Sequence, residues 1–256
     1  MAFTTASEPL LIRAENVGLS FLDRSHVSAS WRDLFVNHGF ILKNPDSSAV
    51  VQVLNQISFD AKQGERIAFI GRNGGGKSTL CNCIAGFFKP QKGQLAVNGR
   101  VRLLADLSVG IFPELTGREN THILTRLMFD EKEENWQERA EEAMEFSELG
   151  DHLNRPYKTY SQGMKARLYL SLASRQRTDI LIFDEVFDGT DAVFQKKLQK
   201  RLTDLIDNCG VTIMVSHSVE QLRSVCHRGL VLEQGRLVFD GPINAALDFY
   251  AGTTSK

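Results

Sequence analysis

The sequence predicts an α/β fold: a mostly parallel sheet flanked by helices, an antiparallel strand portion near the N-terminus, and a helical subdomain in the middle of the chain. Three observations carry this. An apolar strand-like run, Arg66 to Ile70, leads straight into a glycine-rich loop and then a helical stretch. Two more continuous apolar runs of strand length, Ile180 to Phe183 and Val211 to Val215, are joined by a helical segment from Phe194 to Asn208. That is the pattern of parallel strands buried on both faces and linked by crossover helices. Between these regions, helix formers dominate from Thr116 to about Arg175.

In chain order, Leu10 to Phe21 and Val50 to Asp60 read as the N-terminal strands. Between them, Ser30-Trp31-Arg32-Asp33 opens like a capping box and Gly39 is placed to end a helix. Trp31, Leu34, Phe35 and His38 share one face of it, and so short a helix persists only if it docks on something. The helical stretch after the glycine loop runs from Leu80 to Phe88, punctuated by Gly86 and Pro90, and Gly93 to Leu104 alternates like half-buried strand. Trp136, Ala140, Ala143 and Met144 define an acidic amphipathic helix whose charged face is solvated. The reading is one domain over 1–256, with a core of 1–112 and 176–256, a helical subdomain at 113–175 and an insertion at 22–49.

Composition narrows the function. The 256 residues are 42% hydrophobic and 24% charged, which is ordinary globular usage. Thirty Lys and Arg against 31 Asp and Glu leave a net charge of −1, so bulk electrostatics attract neither nucleic acid nor an anionic membrane. Every apolar run is broken well short of the ~20 residues of a membrane span, and Met1 to Leu11 has no secretory-signal pattern, which makes the cytosol the default location. Cys81, Cys83, Cys209 and Cys226 lack paired metal-ligand spacing and read as buried small hydrophobes.

The chemistry starts at Gly71-Arg72-Asn73-Gly74-Gly75-Gly76-Lys77-Ser78-Thr79, a G-x-x-x-x-G-K-[ST] loop between strand and helix. Its N–H groups can point inward at a polyphosphate, with the helix N-terminus behind them. Lys77 would neutralise the β- and γ-phosphates and the Ser78 hydroxyl would ligate Mg²⁺. The strand Ile180 to Phe183 ends in Asp184-Glu185, where Asp184 is placed to hold Mg²⁺ and Glu185, facing differently, to polarise the attacking water as general base. His217, after the next strand, could reach a γ-phosphate or that water.

With these residues the chain resembles the ABC transporter ATPases over nearly its whole length. Tyr160-Ser161-Gln162-Gly163-Met164 is similar to the family signature, with Ser161 and Gly163 in the commonest form. The resemblance implies an ATP-hydrolysing homodimer in which Ser161, Gln162 and Gly163 face the nucleotide on the partner's P-loop. It also puts Asp191 in the cross-dimer loop, makes His217 the switch histidine, and has Phe21 stack on adenine, unless Phe21 is a core residue. Within the family, Gly71 to Gly74, Phe112 to Asn120, Ala166-Arg167-Leu168 and Asp184-Glu185-Val186 most resemble the exporters of O antigen, capsule and teichoic acid. That subfamily implies two separate permease subunits, a peripheral location on the cytoplasmic face of the inner membrane, and ATP with Mg²⁺ as cofactors; other lipid-linked or amphipathic cargo is the alternative. The glutamine that most relatives place before Pro113 is missing, and Asp106 stands near its position as a substitute Mg²⁺ ligand. Because the chain ends at Lys256, the C-terminal carbohydrate-binding domain of some O-antigen exporters is not expected. No guanine-reading N-K-x-D motif is present, a small-molecule kinase would have no use for Ser161-Gln162-Gly163, and soluble ABC ATPases acting on ribosomes or DNA usually carry two cassettes or a long coiled-coil insertion.

The Ser30 to Gly39 helix resembles a subfamily element that lies beside the permease at the membrane surface, and docking on its own core is the other explanation. Replacing Leu34 and Phe35 by Ser separates the two. An interfacial helix predicts a subunit of near-normal thermal stability and failed polymer export. A core helix predicts a loss of several kcal/mol, at roughly 1.5 to 3 kcal/mol for each buried side chain.

Overall fold

The computed structural model describes residues 9–22, 50–105, 110–128, 135–174, 178–185 and 192–254. The expected helix at Ser30 to Gly39, Asp106 and Asp191 lie outside them. Two sheets are present among the described residues. β1 (Leu10–Leu22) pairs antiparallel with β2 (Val50–Lys62) on one side and with β4 (Lys92–Val97) on the other. The second sheet contains β3 (Arg66–Ile70), β5 (Val101–Leu104), β6 (Ile180–Asp184), β7 (Val211–Val215), β8 (Arg228–Glu233) and β9 (Arg236–Pro242). Its order is β5-β6-β7-β3-β8-β9, parallel throughout except for β9.

The unbroken apolar runs follow from burial of this second sheet on both faces. Ile67, Phe69, Ile180, Ile182, Ile213 and Leu230 point to one core, whereas Ala68, Ile70, Leu181, Phe183, Met214 and Val231 point to the other. A strand with no wet face is apolar at nearly every position, so period-two alternation disappears. Thr212 of β7 is buried with its hydroxyl against Cys209 Sγ. The first core lies between the two sheets and takes in Leu80, Cys81, Cys83 and Ile84 of α1 (Lys77–Ile84). Its thiols behave as hydrophobes: burial pushes Cys83 up to about 11, and the Cys81 thiol well above its ordinary value. Opposite, α4 (Gln162–Ala173), α5 (Ala192–Asn208), α6 (Val219–Val225) and α7 (Ile243–Thr254) cover the other face.

α2 (Gly117–Met128) and α3 (Trp136–Ser147) build smaller cores of their own. α4 joins them to the main body, because Leu168 and Leu172 face these small cores while Ala166 and Leu170 face the sheet. Its second half, from Leu168 to Ala173, is buried on both sides. As expected, Ala140, Ala143 and Met144 form the buried stripe of α3.

One expectation is corrected and another is made finer. The helix after the glycine loop starts at Lys77 and ends at Ile84, short of Phe88. Gly86 and Phe87 donate their N–H groups to the carbonyls of Cys83 and Asn82 at 3.0 and 2.9 Å, a Schellman end that leaves Phe87 and Phe88 outside the helix and exposed. The segment 93–104 is two strands in different sheets, β4 and β5, with the chain crossing at Asn98 to Arg100.

Asn120 is wholly buried and holds the loop ahead of α2. Its Nδ2 donates to the carbonyls of Phe112, Leu115 and Thr116 at 2.9, 3.2 and 3.0 Å, and its Oδ1 accepts from the Phe112 N–H at 2.7 Å. Asn120→Ala leaves the Phe112 N–H without its acceptor, while the three carbonyls keep the N–H groups of Leu115, Tyr157 and Asn120 itself, so a loss of about 1–3 kcal/mol is expected in urea denaturation. An unchanged midpoint would show that water replaces the amide.

Candidate functional site

The polar groups of interest emerge at the carboxyl ends of three adjacent parallel strands, β6, β7 and β3, the edge at which open α/β sheets bind their ligands. Past β3 the chain curls through Gly71 to Gly76 and enters α1. A Cβ on Gly71 would lie 2.2 Å from the Leu232 carbonyl oxygen, and one on Gly76 would lie 2.9 Å from that of Val53. Backbone therefore packs directly on backbone, and no other residue fits. Lys77 and Ser78 occupy the first turn of α1, where unpaired N–H groups and the helix dipole favour an anion.

Lys77 is buried, and its Nζ donates to the carbonyls of Gly71 and Arg72 at 2.8 and 3.0 Å. Burial lowers its pKa, opposed by the nearby carboxylates of Glu185 and Asp184. Burial likewise raises the pKa of Asp184, opposed by a hydrogen bond with the Ser78 side chain. Asp184 Oδ1 is buried and has no hydrogen-bond partner. A buried carboxylate oxygen left unpaired beside a serine hydroxyl fits a small hard cation, since Mg²⁺ accepts one or two protein oxygens and completes its shell with phosphate and water. Among the described residues no three His, Cys, Asp or Glu side chains form a cluster that could hold a metal, so the cation would need the phosphates as ligands.

The parallel register pairs Asp184 with Val215, which sets the residues beyond both strands side by side. Glu185 takes a left-handed conformation, φ 55°, while its N–H donates to the Val215 carbonyl at 3.1 Å. Its Oε1 lies 3.0 Å from His217 Nε2, with both side chains partly exposed. Chemically, the cleft combines a phosphate cradle, a cation, a candidate Mg²⁺ seat and a carboxylate oriented by an imidazole.

Val53, Asn73, Gly74, Gly76, Lys77, Ser78, Thr79 and Glu185 line this cleft. Ser161, Gln162 and Gly163 do not line it. They begin α4, where Ser161 is the N-cap and its Oγ accepts from the Met164 N–H at 3.2 Å. Phe21 is 40% exposed and meets Phe88 edge to face, with ring centroids 5.4 Å apart. It pairs with Val51, two residues from cleft-lining Val53. Sequence reasoning missed Val53 and the β8–β9 hairpin that backs the loop. Gly235, between the two alternating runs, was the signal for that hairpin.

A family model described as "ABC transporter" matches residues 54–188. The O-antigen export system ATP-binding protein RfbB of Klebsiella pneumoniae is 40% identical over 198 residues, 77% of this chain and 80% of its own. RfbE of Yersinia enterocolitica, named for the same export system, is 37% identical over 72% of this chain and 77% of its own. The teichoic acids export ATP-binding protein TagH of Bacillus anthracis is 36% identical over 77% of this chain but only 36% of its own length. Among solved structures, the dimeric post-hydrolysis state of the ATP-binding cassette MJ0796 bound to ADP and Pi covers 91% of this chain and 99% of that one, with TM-score 0.68 and 18% identity. That likeness speaks to the fold.

Burial of Asp184 has a testable cost. Its folded-state pKa is raised, so the folded protein holds a proton more tightly than the unfolded chain. Stability therefore falls as pH rises from the ordinary carboxylate range through the raised value. Asp184→Asn, measured without nucleotide in EDTA, is expected to be more stable than wild type at pH 8, and the gain to vanish below about pH 4. Equal or lower stability at pH 8 would contradict this account.

Proposed function

Because the chain belongs to the ABC transporter family and is an ATPase of that family, we propose that it powers export of a lipid-linked cell-surface polysaccharide across the cytoplasmic membrane. The observation that carries this reading is the 40% identity to an O-antigen export subunit over most of both chains. Among the described residues no helix is long and apolar enough to cross a membrane, so the path would belong to a partner. In this reading the subunit sits peripherally on the cytoplasmic face, as a homodimer against two permease subunits.

The residues then take these roles. The N–H groups from Gly71 to Thr79 and the start of α1 bind the phosphates, and Lys77 moves from the Gly71 and Arg72 carbonyls onto the β- and γ-phosphate oxygens. Ser78 and Asp184 would hold Mg²⁺, with Asp106 as a further ligand; when bound, the ion neutralises phosphate charge and fixes its orientation. Glu185 accepts a proton from the attacking water, and His217, 3.0 Å away, holds that carboxylate in place. Phe21 stacks on the adenine. Ser161, Gln162 and Gly163 close over the nucleotide of the second copy, with Asp191 lining the crossing between protomers. The core and the helices of 113–175 would transmit closure to the permease.

Lys77→Ala is expected to abolish ATP turnover. Glu185→Gln is expected to bind ATP, hydrolyse it ~10²- to 10⁴-fold more slowly, and sediment as a dimer with ATP. Cells carrying Glu185→Gln should accumulate the lipid-linked polymer inside and show none at the surface. Normal surface polymer in those cells refutes the export reading, and a monomer with ATP refutes the shared site.

A further inference from the structure

Among the described residues, the phosphate loop packs against the rest of the chain at its two ends. Gly71, at its start, lies against the carbonyl of Leu232, and Gly75 and Gly76, at its end, lie against the carbonyls of Leu232 and Val53. The middle has no backing: a Cβ on Gly74 would meet nothing within 4 Å. One further contact fixes the end of the loop. Gly235, buried in the turn between β8 and β9, donates its N–H to the Gly75 carbonyl at 3.2 Å, and its own carbonyl accepts the Asn55 N–H at 2.7 Å.

From this we infer that Gly235, 160 residues from the loop along the chain, is a positioning residue for nucleotide binding: it sets where the Gly75-Gly76-Lys77 backbone stands, without touching the nucleotide. Its φ is +74°, and a Cβ there would lie 2.3 Å from the Val53 carbonyl oxygen. Something has to move to admit a methyl group. β2 gives less readily, because Leu54, next to Val53, is fully buried between the sheets and the strand pairs with β1 on either side of the irregularity at Val53, through Leu19–Leu54 and Ser20–Gln52. The turn can move, since its neighbours Gln234 and Arg236 are exposed, and the turn carries the Gly75 carbonyl with it. The displacement passes to N–H groups whose value lies in converging on one polyphosphate, so uniform binding of the nucleotide weakens while the groups facing the attacking water stay in place. Arg236 steadies the turn from outside: with the Asn55 amide oriented so that its oxygen faces the guanidinium, Nε and Nη2 donate to it at 3.0 and 2.9 Å.

The inference rests on ATP binding at this loop, so the experiment carries Lys77→Ala beside Gly235→Ala in the full-length subunit, with ATP binding, steady-state turnover and thermal unfolding measured for both. For Gly235→Ala the expectation is a single cooperative unfolding transition, a KM for ATP raised by about tenfold, and a kcat within about threefold of wild type. Gly235→Asn tolerates positive φ yet still carries a Cβ, so it should show the same rise in KM. A wild-type KM in folded Gly235→Ala overturns the inference, as does restoration by Gly235→Asn, which would reduce the effect to backbone strain within the turn. If Gly235→Ala does not fold, Arg236→Ala loosens the turn without a clash; a raised KM at unchanged kcat supports the inference, and an unchanged KM overturns it. Unaltered ATP affinity in Lys77→Ala would instead overturn the site itself.

Discussion

The structure depends on one constraint: the inner strands of the central sheet have no face in contact with water. With a core on each side of β3, β6, β7 and β8, every interior position of those strands is committed to packing. Polar chemistry is thereby confined to the strand ends. The glycine loop, the Asp184-Glu185 pair and His217 all sit just past the carboxyl ends of neighbouring parallel strands. The convergence of these residues is a product of topology. Residues 71, 184 and 217 are far apart in the chain and become neighbours because β6, β7 and β3 lie side by side.

The same constraint explains what could be read from the sequence. Ile180 to Phe183 and Val211 to Val215 were legible because double burial leaves an unbroken apolar run, and the loop was legible because close backbone contact and φ demand glycine at fixed spacing. The limits of α1 were not, since its end is decided by hydrogen bonds from Gly86 and Phe87 back to Cys83 and Asn82, and Phe87 and Phe88 are apolar enough to read as more of the same helix. Nor was the break between β4 and β5, where one alternating pattern serves two sheets. Within the candidate site, side chains with distinctive chemistry announced themselves. Val53 and Gly235 did not, because they act through backbone atoms, and their importance appears only when distant segments are placed in contact.

The helices at 117–173 meet α5 through a polar and aromatic seam. Arg201 lies 3.6 Å from the Phe146 ring centroid and reaches Glu142 at 2.9 Å, while Lys197 donates to the Phe146 carbonyl and to Glu148 at 3.2 and 2.6 Å. Phe146 meets Phe194 edge to face. Contacts of this kind are directional, whereas aliphatic packing tolerates sliding, so the seam fixes the angle between α3 and α5 as well as their separation. α4, buried between the two bodies, supplies the complementary non-directional attachment.

Glu185 is bent into a left-handed backbone conformation that glycine or asparagine would occupy at lower energy. Its neighbours do not repay that strain through packing, since the side chain stands partly in solvent beside His217. Folding alone would therefore favour replacing this residue, and under the proposed role of general base it is turnover that opposes the replacement. In a lineage that kept the fold but no longer needed hydrolysis, mutation would move this position toward glycine or asparagine before it eroded the core, leaving a visible mark of lost activity in an otherwise intact chain.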